Sequence, residues 1–345
     1  MPVPEKPYPD MFFKPTLNTK LEEIRRYLPV SSATSFSNIS PFIQSAEVNY
    51  ILPLLGRPLY DLVTRFYESP SGEVEGITVA SKPRYGMLIE HIQRSLINLT
   101  YWSAFDFMNT LMNDAGFHRQ ESDTEKTLYK YQEESLKAGF KNNGFDGLDT
   151  MLAYLEEHIA VFPLFQVSAN YTQRKSSIIP DTATFNRIFN INGSRLVFLK
   201  VARFMTQVED FEIQGILGSK LYERVKAEIV KAEPDEKILR LIPYLQKPIA
   251  HLSIAKASFQ LGINVNDKGL FFESQDSTMM NSTKVAPLSD QQYWYLAKAS
   301  EGAGLAYLEM LRGFLAAHSG DYPEYRLPLG SALIRDNSGK KSYWA

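Results

Sequence analysis

At 345 residues the chain is long enough for two domains of ordinary size or one large one, each able to bury its own core. Hydrophobic residues make up 44% and charged residues 22%, the balance of a globular rather than a disordered chain. A formal net charge of −2 excludes a chain that grips nucleic acid or an anionic membrane as a whole, and the absence of cysteine excludes disulfides, thiolate metal sites and a cysteine nucleophile.

In chain order, residues 1–18 form an arm in which Pro2, Pro4, Pro7, Pro9 and Pro15 alternate with Tyr8, Met11, Phe12 and Phe13. The opening MPVPEKPYPD has no basic start followed by an apolar core, so no secretory signal is expected there. No apolar stretch approaches the roughly 20 residues of a membrane helix, so no membrane partner is expected. Ser40-Pro41 is a suitable helix start, with Ser as N-cap and Pro at the first helical position, where a missing N–H costs nothing. The helix is expected to run to Leu54-Leu55-Gly56, where glycine either ends it in a left-handed turn or lets two helices approach closely. Leu59 and Tyr60 begin the next helix.

Residues 86–112 read as one long helix, with Leu88, Ile92, Leu96, Leu99, Trp102, Phe105 and Met108 at helical spacing and Asn113-Asp114-Ala115-Gly116 as its stop. Residues 122–140 and 147–161 read as two further helices.

The same order then recurs. Residues 204–225 (FMTQVEDFEIQGILGSKLYERV) repeat residues 42–63 (FIQSAEVNYILPLLGRPLYDLV) at a shift of 162, with eight identities in 22 positions. Background composition gives about one or two. Among the identities are Glu47/Glu209, Gly56/Gly218 and Tyr60/Tyr222. Beyond a loop that is shorter in the second copy the shift becomes 153, carrying Leu88, Gln93, Leu99 and Asn113-Asp114 onto Leu241, Gln246, Leu252 and Asn266-Asp267. It also carries LAYLE at 152–156 onto LAYLE at 305–309. Pro243 and Pro248 fall inside the second long helix, so it is either kinked or starts late near Pro248. Ser289 with Gln292 makes a capping box for a helix over 290–317. Residues 195–202 (RLVFLKVA) suggest a short strand, and with it a little β structure at the edge of each repeat.

The organisation expected is therefore mostly α: a 1–18 arm, a first helical repeat over 19–163, a linker over 164–184, a second repeat over 185–318 and a 319–345 arm. The arms carry Phe12, Phe13, Tyr322, Tyr325, Tyr343 and Trp344. They are either loose ends or segments that dock on a neighbour through Phe12, Phe13, Tyr343 and Trp344.

Chemistry is hard to find. SGKKS at 338–342 resembles a phosphate-binding loop but lacks its leading glycine and has Lys341 where Ser or Thr belongs. His91, His118, His158, His251 and His318 are scattered without metal-ligand spacing. No cofactor or metal is expected, and no catalytic residues are assigned. Glu47 and Glu209 are solvent-facing, paired structurally, or reach a basic residue on a neighbouring subunit. Tyr60 and Tyr222 are expected at the core edge with their hydroxyls on backbone groups.

The segment LEEIRRYLPV at 21–30, followed after a polar gap by FIQSAEVNYILPLLGRPLYDL at 42–62, resembles the helical head–tail connector (adaptor) proteins of tailed bacteriophages, with Ala46, Gly56, Arg57 and Leu59 in matching places. The second copy, from Phe185 through Gly218 and Leu221, resembles a second such unit with Ser219 where the Arg stands. The whole chain also resembles an uncharacterised family from phages and prophages of Bacteroidetes. The resemblance implies a structural protein rather than an enzyme, a ring of twelve or six copies beneath the portal in the virion neck. Its partners would be the portal and a tail or stopper protein, and DNA would pass through without being held. The rival expectations are a generic two-repeat helical interaction scaffold and an enzyme of an unfamiliar helical class.

Overall fold

The computed structural model describes residues 12–19, 21–31, 35–108, 110–113, 116–119, 128–175, 177–231, 233–261, 263–266, 269–272 and 290–325. For 110–119, 173–175, 261–272 and 290–293 it describes backbone alone. The chain divides into two compact units, one within Met1–Thr172 and one beginning at Gln173, so the division falls inside the 164–184 stretch.

In the first unit helix α1 (Phe36–Ala46) runs through a π-helical turn (Glu47–Ile51) into α2 (Leu52–Leu55), and Gly56 separates that rod from α3 (Arg57–Glu68). Helix α1 thus starts before Ser40, behind Ser35, and holds Pro41 in its interior. The buried stripe Ile39, Ile43, Ala46 is worth more than the one backbone hydrogen bond that Pro41 removes. The π turn has a readable cause. The next buried hydrophobic residues are Ile51 and Leu55, so the apolar stripe steps five residues from Ala46 to Ile51. One extra residue in the turn keeps both halves facing the same core. Gly56 takes φ 76° and ψ 150°, a conformation open essentially only to glycine.

Helix α4 (Lys82–Met108) then pairs with α5 (Lys130–Glu157), and α1 packs on α4. The two helices expected over 122–140 and 147–161 are thus one. Two glycines in the middle of this helix serve close packing: a Cβ on Gly144 would lie 2.7 Å from Leu99 Cγ, and one on Gly147 2.5 Å from Ser95 Oγ. Between α4 and α5 lies a hairpin, β1 (Thr110–Asn113) against β2 (Gly116–Arg119), pairing Asn113 with Gly116. The helix expected to run to residue 112 thus ends at Met108, and the Asn113–Gly116 pair belongs to a hairpin rather than to a helix stop. Two short helices, α6 (Pro163–Gln166) and α7 (Ala169–Lys175), follow.

The second unit repeats this order. Helix α8 (Thr182–Ile188) precedes α9 (Arg195–Val208), a π turn (Glu209–Ile213), α10 (Gln214–Leu217), Gly218 at φ 72°, and α11 (Ser219–Glu228). Then come α12 (Glu236–Leu261), the hairpin β3 (Ile263–Asn266) with β4 (Gly269–Phe272), and α13 (Asp290–Ala317). Residues 195–202 are helix, not strand. Ser194 caps them through its hydroxyl to Val197 N–H, and Val197, Phe198, Val201, Ala202 and Met205 line one face. Among the described residues the β structure of each unit lies in its hairpin. The second π turn answers the same five-residue step, here from Val208 to Ile213.

Helix α12 begins at Glu236, well before Pro248, and keeps both prolines inside. Buried Ile238, Leu241, Leu245 and Ile249 hold it to the core on either side of them. The expected capping residues of α13 lie outside the described side chains.

The structural register of the last helix differs from the LAYLE match. Leu99 meets Gly144, and its counterpart Leu252 meets Gly304. The His91 ring meets Tyr154, and its counterpart Tyr244 meets Phe314. Buried Leu148, Met151 and Leu155 answer to Leu308, Leu311 and Leu315. The true shift is 160, seven residues from that of the sequence match. Seven residues are two helical turns, so either register buries the same face.

Candidate functional site

Each unit buries one glutamate at the start of its π turn, and each uses it on main chain. In the first unit Glu47 is 0% exposed, and its Oε1 accepts the N–H of Phe12 at 2.6 Å. The Tyr60 hydroxyl donates to Oε2 at 3.3 Å. From α4 the buried Gln93 donates through Nε2 to the carbonyl of the same Phe12 at 2.7 Å, and Tyr27 Oη donates to Gln93 Oε1 at 3.0 Å. Two side chains on different helices thus take both backbone groups of one residue, as a neighbouring β-strand would.

The second unit repeats the arrangement on Ile178. Glu209, 2% exposed, accepts the Ile178 N–H at 2.9 Å and the Ser177 hydroxyl at 2.6 Å. Gln246 Nε2 donates to the Ile178 carbonyl at 3.0 Å, and the Tyr222 hydroxyl lies 3.5 Å from Glu209 Oε2. Lys226 completes it, its ammonium 2.7 Å from Glu209 Oε2. In the first unit the corresponding residue is Thr64, whose hydroxyl donates to the Tyr60 carbonyl. Burial, and then the Glu209 charge, pushes the Tyr222 hydroxyl well above its ordinary pKa, so it stays a donor.

The first clamp carries a second buried carboxylate, Glu23, which accepts from Tyr67 Oη at 2.8 Å and Asn18 Nδ2 at 2.6 Å. Burial and that hydrogen bond raise Tyr67 far above the normal tyrosine range. Tyr67 also accepts the Lys14 N–H at 3.1 Å, while the Lys14 ammonium donates to the carbonyls of Tyr67 and Glu68 at the end of α3.

The residues singled out from sequence are thus brought together in part. Glu47 with Tyr60, and Glu209 with Tyr222, form the clamps. The glutamates and Tyr60 are buried within their own units and Tyr222 partly so, rather than solvent-facing, and both tyrosine hydroxyls face the glutamates. Gly56 and Gly218 end the rods that position the glutamates. Arg57 stands apart at the surface, paired with Asp61 at 2.9 Å. Phe12 and Phe13 are fully buried in their own unit, where the main-chain clamp and the Tyr60 ring 5.4 Å away hold Phe12. Tyr343 and Trp344 lie outside the described residues. Tyr322 and Tyr325, expected in the C-terminal arm, are buried in the second unit, with the Tyr322 hydroxyl donating to the Lys237 carbonyl at 2.7 Å.

Gln93 and Gln246 recurred in the sequence without a role. A glutamine retained at an apolar helix position was the available signal. Among the described residues no group of three or more His, Asp or Glu is placed to hold a metal ion, and no helix is long and apolar enough to cross a membrane.

A model of the family of unknown function DUF6712 matches residues 51–175 and 213–332, more than two thirds of the chain. The chain belongs to this family. The two matched segments begin at Ile51 and Ile213, the last residues of the two π turns, so the family unit is the repeat itself, present twice. No curated protein and no solved structure matches the chain.

Proposed function

We propose that this protein is a structural head–tail connector of a tailed bacteriophage, a ring-forming adaptor that sits beneath the portal in the virion neck and docks a tail or stopper protein. The observation that carries the reading is the twice-built clamp. What is duplicated is a means of fixing an extended segment to a rigid helical frame, and that segment is Phe12 in one unit and Ile178 in the other. A protein that works by geometry needs such fixtures. The connector-like positions support it: Ala46 and Leu59 are buried, Gly56 makes its glycine-only turn, and Arg57 lies at the surface.

The mechanism is positional rather than catalytic. Copies packing head to tail close a ring of twelve, or of six if each duplicated chain supplies two units. A near-neutral chain suits a passage for DNA, since a basic lining would hold phosphates. Exposed aromatic and apolar side chains cluster near the hairpin end of each helix pair: Phe107, Tyr129 and Tyr131 in the first unit, Phe259, Trp294 and Tyr295 in the second. These provide contact area for partners.

The test is the mass of the purified protein, alone and mixed with a portal protein encoded beside it, by native mass spectrometry. A closed species of six or twelve copies, or one that forms only on the portal, supports the connector. A monomer that ignores the portal removes the reading and leaves a two-repeat interaction scaffold.

A further inference from the structure

We propose that the clamp of the first unit is an exchangeable receptor, and that its partner in trans is the Phe12–Lys14 segment of a second copy of this chain. Three observations carry this. First, the receptor reads main chain. Glu47 and Gln93 take the N–H and carbonyl of residue 12, and the same pair in the second unit takes Ile178, so two unrelated side chains are accepted on one design.

Second, the first clamp adds features that read one sequence. Phe12 packs edge-on against Tyr60 at 5.4 Å and lies tilted against Tyr67 at 6.1 Å. The Lys14 ammonium sits 4.8 Å from the centre of the Tyr67 ring and donates to the last carbonyls of α3, where a cation suits the helix end. At the corresponding position of the second unit stands Ile229, and its segment has Pro180 in place of Lys14. A Phe-Phe-Lys peptide therefore fits the first clamp, and this chain supplies one.

Third, every one of these contacts joins residues 12–14 to Glu47, Tyr60, Tyr67, Glu68 or Gln93, all beyond residue 35. Replacing the segment by that of another copy conserves each contact and changes only connectivity, the condition under which exchange between subunits costs little. Residues 15–27, whose Glu23 and Tyr27 bond Tyr67 and Gln93, travel with the segment; residues 28–35 (LPVSSATS) join them to α1, and eight residues span up to about 26 Å. A copy that lends its segment leaves its own clamp open to the next. The series closes as a reciprocal dimer or as a ring. Closure as a ring rests on the function proposed above; the exchange itself does not.

Two full-length variants test this. In one the segment is spoiled (Phe12→Asp with Phe13→Asp), in the other the clamp (Glu47→Ala with Gln93→Ala). Native mass spectrometry of each alone should show no association through this site, and their equimolar mixture should show a 1:1 heterodimer. A mixture that gives no heterodimer overturns the proposal. Should either variant lose its helical circular dichroism, the wild-type chain answers the same question with a fluorescent peptide of residues 8–18. Saturable binding, competed by unlabelled peptide and weakened at least tenfold when its Phe-Phe is replaced by Asp-Asp, supports exchange. No saturable binding up to millimolar peptide, the effective concentration of a short tether, overturns it. No portal is present in either measurement, so a failed portal assay and a failed exchange are separate results.

Discussion

Replacing Glu47 by alanine should cost the first unit more than any exposed charge in it. The buried carboxylate accepts the Phe12 N–H at 2.6 Å and the Tyr60 hydroxyl at 3.3 Å. A hydrogen bond to a charged acceptor contributes about 1.5–3 kcal/mol, and a buried N–H left without an acceptor carries a desolvation cost of about 1–3 kcal/mol that partly overlaps with it. Together with the smaller loss at the Tyr60 hydroxyl this gives about 3–4 kcal/mol. In a unit of this size that lowers the melting transition by roughly 10 °C. Glu47→Gln keeps shape and one acceptor oxygen but puts an NH2 where the second oxygen accepts from Tyr60, so about 1–1.5 kcal/mol is expected. Asp61→Ala, which frees the exposed Arg57, should stay within about 0.5 kcal/mol. Urea unfolding gives the energies. Amide hydrogen exchange gives the location, because the Phe12 amide is protected in the wild type and should exchange at least tenfold faster in Glu47→Ala. If Glu47→Ala costs under about 1 kcal/mol and the Phe12 amide stays protected, the carboxylate does not hold the segment and the clamp argument fails.

Two glycines of one helix should respond with opposite sign. Gly144→Ala drives a Cβ into Leu99 and toward the α4 backbone and should destabilise by about 1–3 kcal/mol. Gly139→Ala meets nothing within 4 Å and should stabilise by about 0.5–1 kcal/mol, both read by urea unfolding. Gly218→Ala should cost about 1–3 kcal/mol, because φ 72° with ψ 156° is a backbone conformation that alanine rarely adopts. His251 packs between the rings of Phe189 and Tyr307, and burial holds its pKa below the ordinary histidine value. The unfolded state therefore binds its proton first. The contribution of the neutral ring is full above about pH 6.5 and is lost as pH falls from there toward the folded pKa. Melting temperatures at pH 7.5, 6.5 and 5.5 should fall, and His251→Gln should flatten part of the slope.

Several features were determined by the sequence alone. The duplication, the mostly helical class and the glycine-ended rods follow from short-range rules: identity at a fixed offset, helical periodicity, and a backbone conformation open to one residue type. The pairing of Glu47 with Glu209 and of Gln93 with Gln246 was visible as recurrence. That they meet was not, because they lie on different helices and their common ligand is main chain, which has no sequence signature. Other features were decided by the tertiary structure. It fixed the register of the last helix, which a seven-residue slip leaves undetermined since both registers present the same face. It made Gly144 and Gly147 contact points rather than helix ends, because only the neighbouring α4 shows how little room lies between the axes. It also turned Phe12 and Phe13 inward. An aromatic pair in a proline-rich arm reads as exposed until a buried carboxylate and amide are in place to satisfy its backbone, and those come from residues 35 and 81 positions further along the chain.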